Sequence, residues 1–178
     1  MKKIIISGFG GQGVLSLGVL IAQSAMNMSY NTSWFPSYGP EMRGGTAHCS
    51  VVYSRSEITS PVITSPNFAV VMYEPALRKF EERMEPGGVL ILNSSIIRAK
   101  AKRTDIRAIY APMEELCAKI NPRGANIIAL GILTELFHSL DVDTVRKAIS
   151  QVFESKPELL DMNLKCFDAG REFIKSYK

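Results

Sequence analysis

The chain has 178 residues, 46% of them hydrophobic and 21% charged, with a formal net charge of +4 and a pI near 9.0. That length suits one domain with a sizeable core that needs no disulfide or metal staple, and the mild basicity admits an anionic ligand without calling for nucleic acid. No apolar run is long enough to cross a bilayer, since Gln23 and Asn27 interrupt the first helical stretch, and residues 2–6 are too short for a signal peptide, so a cytoplasmic protein with no membrane contact is expected.

Residues 2–6, Lys-Lys-Ile-Ile-Ile, read as a buried first strand, and residues 14–28 as a helix rich in Leu, Ala, Val and Met. Between them lies Ser7-Gly8-Phe9-Gly10-Gly11-Gln12-Gly13, in which Gly8, Gly10 and Gly13 fit G-x-G-x-x-G at a strand-to-helix turn. Glycines let backbone approach a ligand, and a helix start offers unpaired N–H groups with partial positive charge, which suits a phosphate or another anion. A tight turn with close helix–strand packing and no ligand explains the same residues. A short second strand at residues 32–35 makes a β-α-β beginning, which predicts a parallel pair joined by a right-handed crossover. No acid stands between Asn31 and Pro36, where a dinucleotide site needs one for the ribose, and no Gly-Lys-Ser/Thr follows the turn. NAD and a Mg-nucleotide triphosphate are both disfavoured.

Residues 36–46, Pro-Ser-Tyr-Gly-Pro-Glu-Met-Arg-Gly-Gly-Thr, are turn-rich. Arg43 can clamp a phosphate or carboxylate through its planar fork, or it can sit in an internal salt bridge with Glu41. Strands are expected at 47–54, 68–72, 89–92 and 106–111, with a charged helix at 74–85 and a Pro86-Gly87-Gly88 turn. Arg98, Lys100, Lys102 and Arg103 form a charge run that reads as a solvated face or, more sharply, as a docking patch for an acidic partner or phosphate. Helices follow at 112–120, 125–139, 141–153 and 157–177, and the third-last is so apolar that it must lie in a core or an interface. Alternating strands and helices followed by helices alone predict a three-layer, Rossmann-like α/β fold with a mostly parallel sheet. The sheet core spans about residues 1–111 and a mainly helical part about 112–178. The binding crevice belongs at the carboxyl ends of the strands, where Gly8 to Gly13 sit. Cys49, Cys117 and Cys166 are dispersed, with no C-x-x-C, and His48 and His138 are isolated, so all five read as packed or surface residues.

Two motifs in order, Gly8-Phe9-Gly10-Gly11-Gln12-Gly13-Val14 and Ser37-Tyr38-Gly39-Pro40-Glu41-Met42-Arg43-Gly44-Gly45, resemble the gamma subunit of 2-oxoacid:ferredoxin oxidoreductases, as does Asn126-Ile127-Ile128-Ala129-Leu130-Gly131. The resemblance covers nearly the whole chain and is strongest to the 2-oxoglutarate type. It implies one subunit of an enzyme that decarboxylates a 2-oxoacid oxidatively to an acyl-CoA and passes electrons to ferredoxin. It places thiamine diphosphate, Mg and [4Fe-4S] clusters on alpha, beta and delta (ferredoxin-like) partners, leaving this chain without catalytic or metal-binding residues and inactive alone. By the same resemblance Gly8, Gly10, Gly11, Gln12 and Gly13 line coenzyme A or a subunit boundary. Tyr38, Gly39, Glu41, Arg43, Gly44 and Gly45 form a second loop beside it, and Asn126 faces the same region. Exposed interface surface makes a homodimer of the isolated chain an expectation. A free-standing nucleotide- or flavin-binding protein and a purely structural adaptor are the competing functions.

Overall fold

Three successive isoleucines place the first strand at the centre of the sheet. In β1 (Lys2–Phe9), Ile4 and Ile6 point into one apolar cluster and Ile5 into the other, so the strand is covered on both faces. The computed structural model describes residues 1–38 and 46–177, with only the backbone described at Tyr38. After α1 (Val14–Asn27) come β2 (Asn31–Tyr38), β3 (Thr46–Ser54) and β4 (Phe68–Val71). Then follow α2 (Ala76–Arg83), β5 (Val89–Asn93), β6 (Arg107–Ala111), α3 (Met113–Cys117), α4 (Ala125–Phe137), α5 (Val142–Val152) and α6 (Pro157–Ser176).

The six strands form one sheet in the order β2-β3-β1-β4-β5-β6. β1, β4, β5 and β6 are parallel neighbours, while β3 is antiparallel to both β1 and β2. The expected parallel pairing of the first two strands is therefore corrected. β2 runs in the same direction as β1, but β3 is threaded between them, in register from Lys2 opposite Tyr53 to Phe9 opposite Thr46. The helix α1 crosses over this inserted strand. At Gly18 an added Cβ would meet the Cys49 sulfur at 2.6 Å and the Trp34 ring nitrogen at 2.7 Å, so α1 lies directly on β3 and β2.

Helices cover both faces, which gives the three layers. On one side α1, α4 and α6 pack with Ile4, Ile6, Val70 and Ile109 in one cluster. On the other, Leu77, Phe80 and Met84 around α2 pack on Ile5, Val52, Ala69, Val71 and Leu90. Each such large apolar side chain, fully buried, contributes about 1.5–3 kcal/mol. The nearly all-apolar α4 lies in the first cluster, as its composition predicts, and its Gly131 meets Gly170 of α6 at a close crossing.

The charge run after β5 is not a free patch. Arg103 pairs with Asp105 at 2.8 and 2.6 Å and donates to the carbonyls of Glu81 (3.0 Å) and Met84 (2.7 Å). Lys100 sits 4.1 Å from the centre of the Tyr110 ring. Two of the four cations are thus engaged within the chain, Arg103 tying the 94–106 segment to the end of α2 and Lys100 lying against β6.

Candidate functional site

The parallel strands β1 and β4 leave the sheet toward opposite faces, β1 into α1 and β4 toward α2, which makes their carboxyl ends the topological switch point of the sheet. The glycine turn occupies that point. Its backbone starts with β1 still paired through Gly8 and Phe9, then reverses at Gly11 (φ +97°) and Gly13 (φ +69°). Gly13 is the N-cap of α1 in the left-handed region, with no side-chain cap and no acid in the first turn of the helix. A helix start without a side-chain cap or an acid in its first turn is an arrangement that attracts an anion.

Two amides hold this turn. Gln12 accepts from the Phe9 N–H at 2.7 Å and donates to the Met72 carbonyl at 3.1 Å, which straps the turn to the end of β4. Asn126, only 7% exposed in the first turn of α4, donates to the Gly13 carbonyl at 3.2 Å. That carbonyl also receives the Leu17 N–H at 2.9 Å. A Cβ at position 13 would overlap the Asn126 amide, 2.6 Å from its Cγ, and would carry a positive φ as well, so only glycine fits.

Of the residues expected at the site, Gly8, Gly10, Gly11, Gln12, Gly13 and Asn126 are brought together here. Gln12 and Asn126 act on the turn itself: both side chains are bonded to backbone of the turn or of β4. Tyr38 is the last residue of β2, its backbone opposite Ala47 of β3, and Gly39, Glu41, Arg43, Gly44 and Gly45 lie outside the described residues.

One group of polar residues was missed by sequence reasoning. Ser37, His48 and Ser7 stand in register across β2, β3 and β1 on the face that carries α2. With Thr46, Tyr73, Lys79 and Phe80 they line a cleft of about 280 Å³ at the carboxyl end of β1. A smaller cavity of about 130 Å³ adjoins it through Ser37 and His48 and reaches Arg83. The signal was present in the strand period, since these polar side chains alternate onto the same face as Ile5, Val52 and Val71, where an apolar residue is expected. Burial first, then the charges of Lys79 and Arg83, hold the His48 imidazole below its usual pKa and keep it neutral near pH 7.

The thiols are inert. Burial pushes Cys49 up to about 12 and Cys166 to about 11, and Cys117 is raised for the same reason. Among the described residues no group of three or more His, Cys, Asp or Glu could hold a metal ion, and no helix is long and apolar enough to cross a membrane.

The family model for pyruvate ferredoxin/flavodoxin oxidoreductase matches residues 3–173. The chain belongs to this family. Among curated relatives it is 38% identical to the ketoisovalerate oxidoreductase subunit VorA of Methanothermobacter thermautotrophicus, over 97% of this chain and 36% of that protein. It thus spans about a third of VorA. It is 30% identical to the 2-oxoglutarate synthase subunit KorC of Methanocaldococcus jannaschii, over 98% of this chain and 94% of the relative. Among solved family structures, the gamma subunit of a keto/oxoacid ferredoxin oxidoreductase from Geobacter sulfurreducens superposes with a TM-score of 0.80 at 26% identity, covering 99% of both chains. The fold recurs in the 2-oxoglutarate:ferredoxin oxidoreductase of Magnetococcus marinus, solved with 2-oxoglutarate, coenzyme A and succinyl-CoA (TM-score 0.88, 23% identity, 99% of this chain and 31% of that one).

Proposed function

We propose that the chain is the gamma part of a 2-oxoacid:ferredoxin oxidoreductase and that its glycine turn helps to bind coenzyme A during oxidative decarboxylation. The observation that carries this reading is the end-to-end match with KorC, 98% of this chain against 94% of that subunit. The turn suits the ligand physically. The start of α1, with no side-chain cap at Gly13, favours a phosphate, and the open space beside Gly11 suits the narrow pantetheine arm. By the family resemblance, Arg43 would add a guanidinium. The turn contributes no acid, base or nucleophile. Carbon–carbon bond cleavage and electron transfer would fall to thiamine diphosphate, Mg and [4Fe-4S] clusters on alpha, beta and delta partners, with ferredoxin as acceptor.

The 2-oxoglutarate reading follows KorC. A branched-chain 2-oxoacid is the second reading, favoured by the 38% identity to VorA. The test is ferredoxin reduction by the enzyme assembled with its partner subunits, using 2-oxoglutarate or 3-methyl-2-oxobutanoate, with and without coenzyme A. Coenzyme A-dependent reduction with a preference of about tenfold or more for 2-oxoglutarate in kcat/KM is expected. The reverse preference selects the branched-chain reading. Equal rates without coenzyme A contradict the proposal.

A further inference from the structure

The cleft on the α2 face lies on the opposite side of the sheet from α1 and is not part of the glycine turn. Its chemistry is one-sided. Lys79 is exposed at its rim, Ser7, Ser37 and Thr46 bring hydroxyls, His48 brings an imidazole, and no carboxylate lines it among the described residues. Ser7 is only 2% exposed and lines the cleft from β1. Its hydroxyl can donate to an oxyanion placed between the strands and Lys79. The next positive charge, Arg83, is held by the carbonyls of Ile63 and Thr64 in the adjoining cavity.

We propose that this cleft is a second anion site, holding a phosphate-class dianion between Lys79, the hydroxyls of Ser7, Ser37 and Thr46, and His48. Donors arrive from three adjacent strands and from a helix, and a tetrahedral oxyanion can accept from several donors at once. A planar carboxylate would leave part of that set unused. The cleft volume of about 280 Å³ accommodates free phosphate or the terminal phosphoryl group of a larger ligand. A bound dianion would also favour the charged imidazole and oppose the burial and cationic neighbours that now depress His48.

The test is a titration of the full chain with inorganic phosphate at constant ionic strength, read on the histidine ring proton resonances by NMR. His48 is expected to shift saturably at millimolar phosphate while His138 stays fixed, and the His48 titration is expected to move to higher pH. Lys79→Met should weaken the midpoint about tenfold or more, and Ser7→Ala several-fold, whereas Lys100→Met should leave it unchanged. Adenosine 3′-monophosphate binding at least tenfold tighter than phosphate would identify the terminal group of a larger ligand. Equal affinity would identify the free ion. A His48 shift linear in phosphate, or the same midpoint in Lys79→Met, overturns the site. Lys79→Met leaves residues 7–13 intact and no coenzyme A is used, so the outcome is independent of the coenzyme A reading.

Discussion

Replacing Glu81 by alanine is expected to destabilise the fold by about 3–5 kcal/mol, the range for removing one partner from a buried charged network. Glu81 is 2% exposed on α2. One carboxylate oxygen accepts the backbone N–H groups of Lys102 and of Arg103 (2.8 Å), and the other accepts Arg78 at 2.6 Å. Arg103 closes the network by donating to the Glu81 carbonyl. Alanine would strand two backbone donors and release the segment between β5 and β6 from α2. The charge also gives the fold a pH dependence. Burial pushes the Glu81 pKa up, but the two N–H groups and Arg78 outweigh it and the net shift is downward. The unfolded chain then binds the proton more readily, so the stabilisation is full above the ordinary glutamate pKa of about 4.3 and is lost as pH falls through the lowered folded value. Urea unfolding should show wild type losing more stability than Glu81→Gln between about pH 5 and about pH 3. Parallel pH curves would mean that the carboxylate carries no such charge interaction.

Gly131→Ala is expected to cost about 3 kcal/mol, at the upper end for forcing an extra methyl into a packed core. Its Cβ would overlap the Phe167 carbonyl oxygen and stand 2.9 Å from the Arg171 nitrogen. The relation is reciprocal, since a Cβ at Gly170 would overlap the Ile128 carbonyl oxygen and stand 2.9 Å from its carbon. Backbone cannot rotate away as a side chain can, so α4 and α6 must separate. Gly170→Ala should cost a similar amount, and the double variant less than the sum, because the first substitution already opens the crossing. Thermal or urea unfolding of the three variants measures this, and strict additivity would show that the two positions do not share one contact. The crossing matters beyond stability because α4 carries Asn126 to the glycine turn.

Local chemistry made part of this molecule legible in its sequence. Ile4 to Ile6, the glycine turn and the following helix declared a buried strand running into α1, and the composition of residues 125–137 declared a helix with no wet face. Which strands become neighbours was not legible. Period-two alternation assigns faces but not partners, and the insertion of β3 between β1 and β2 is settled by long-range pairing. Asn126 entered the candidate site through the family resemblance. Its bond to Gly13 joins positions 113 residues apart, a separation that no local pattern encodes. Gln12 entered as part of a loop near coenzyme A or a subunit boundary, and its bonds to Phe9 and Met72 add a strap that its sequence position does not show. Arg103 looked like part of a solvated charge run and proves to bind carbonyls, because a guanidinium can satisfy several acceptors at a helix end. Ser7, His48 and Ser37 passed unnoticed because they lie on three separate strands and become one surface only when the sheet assembles.

The central claim, that this chain takes part in binding coenzyme A, is tested most directly by Arg43→Ala in the enzyme assembled with its partner subunits. A charge-assisted hydrogen bond contributes about 1.5–3 kcal/mol. Its loss should raise the KM for coenzyme A about 10- to 100-fold while the KM for the 2-oxoacid and the assembly state stay the same. An unchanged KM for coenzyme A in a correctly assembled complex would contradict the account and leave the glycine turn as a structural joint between subunits.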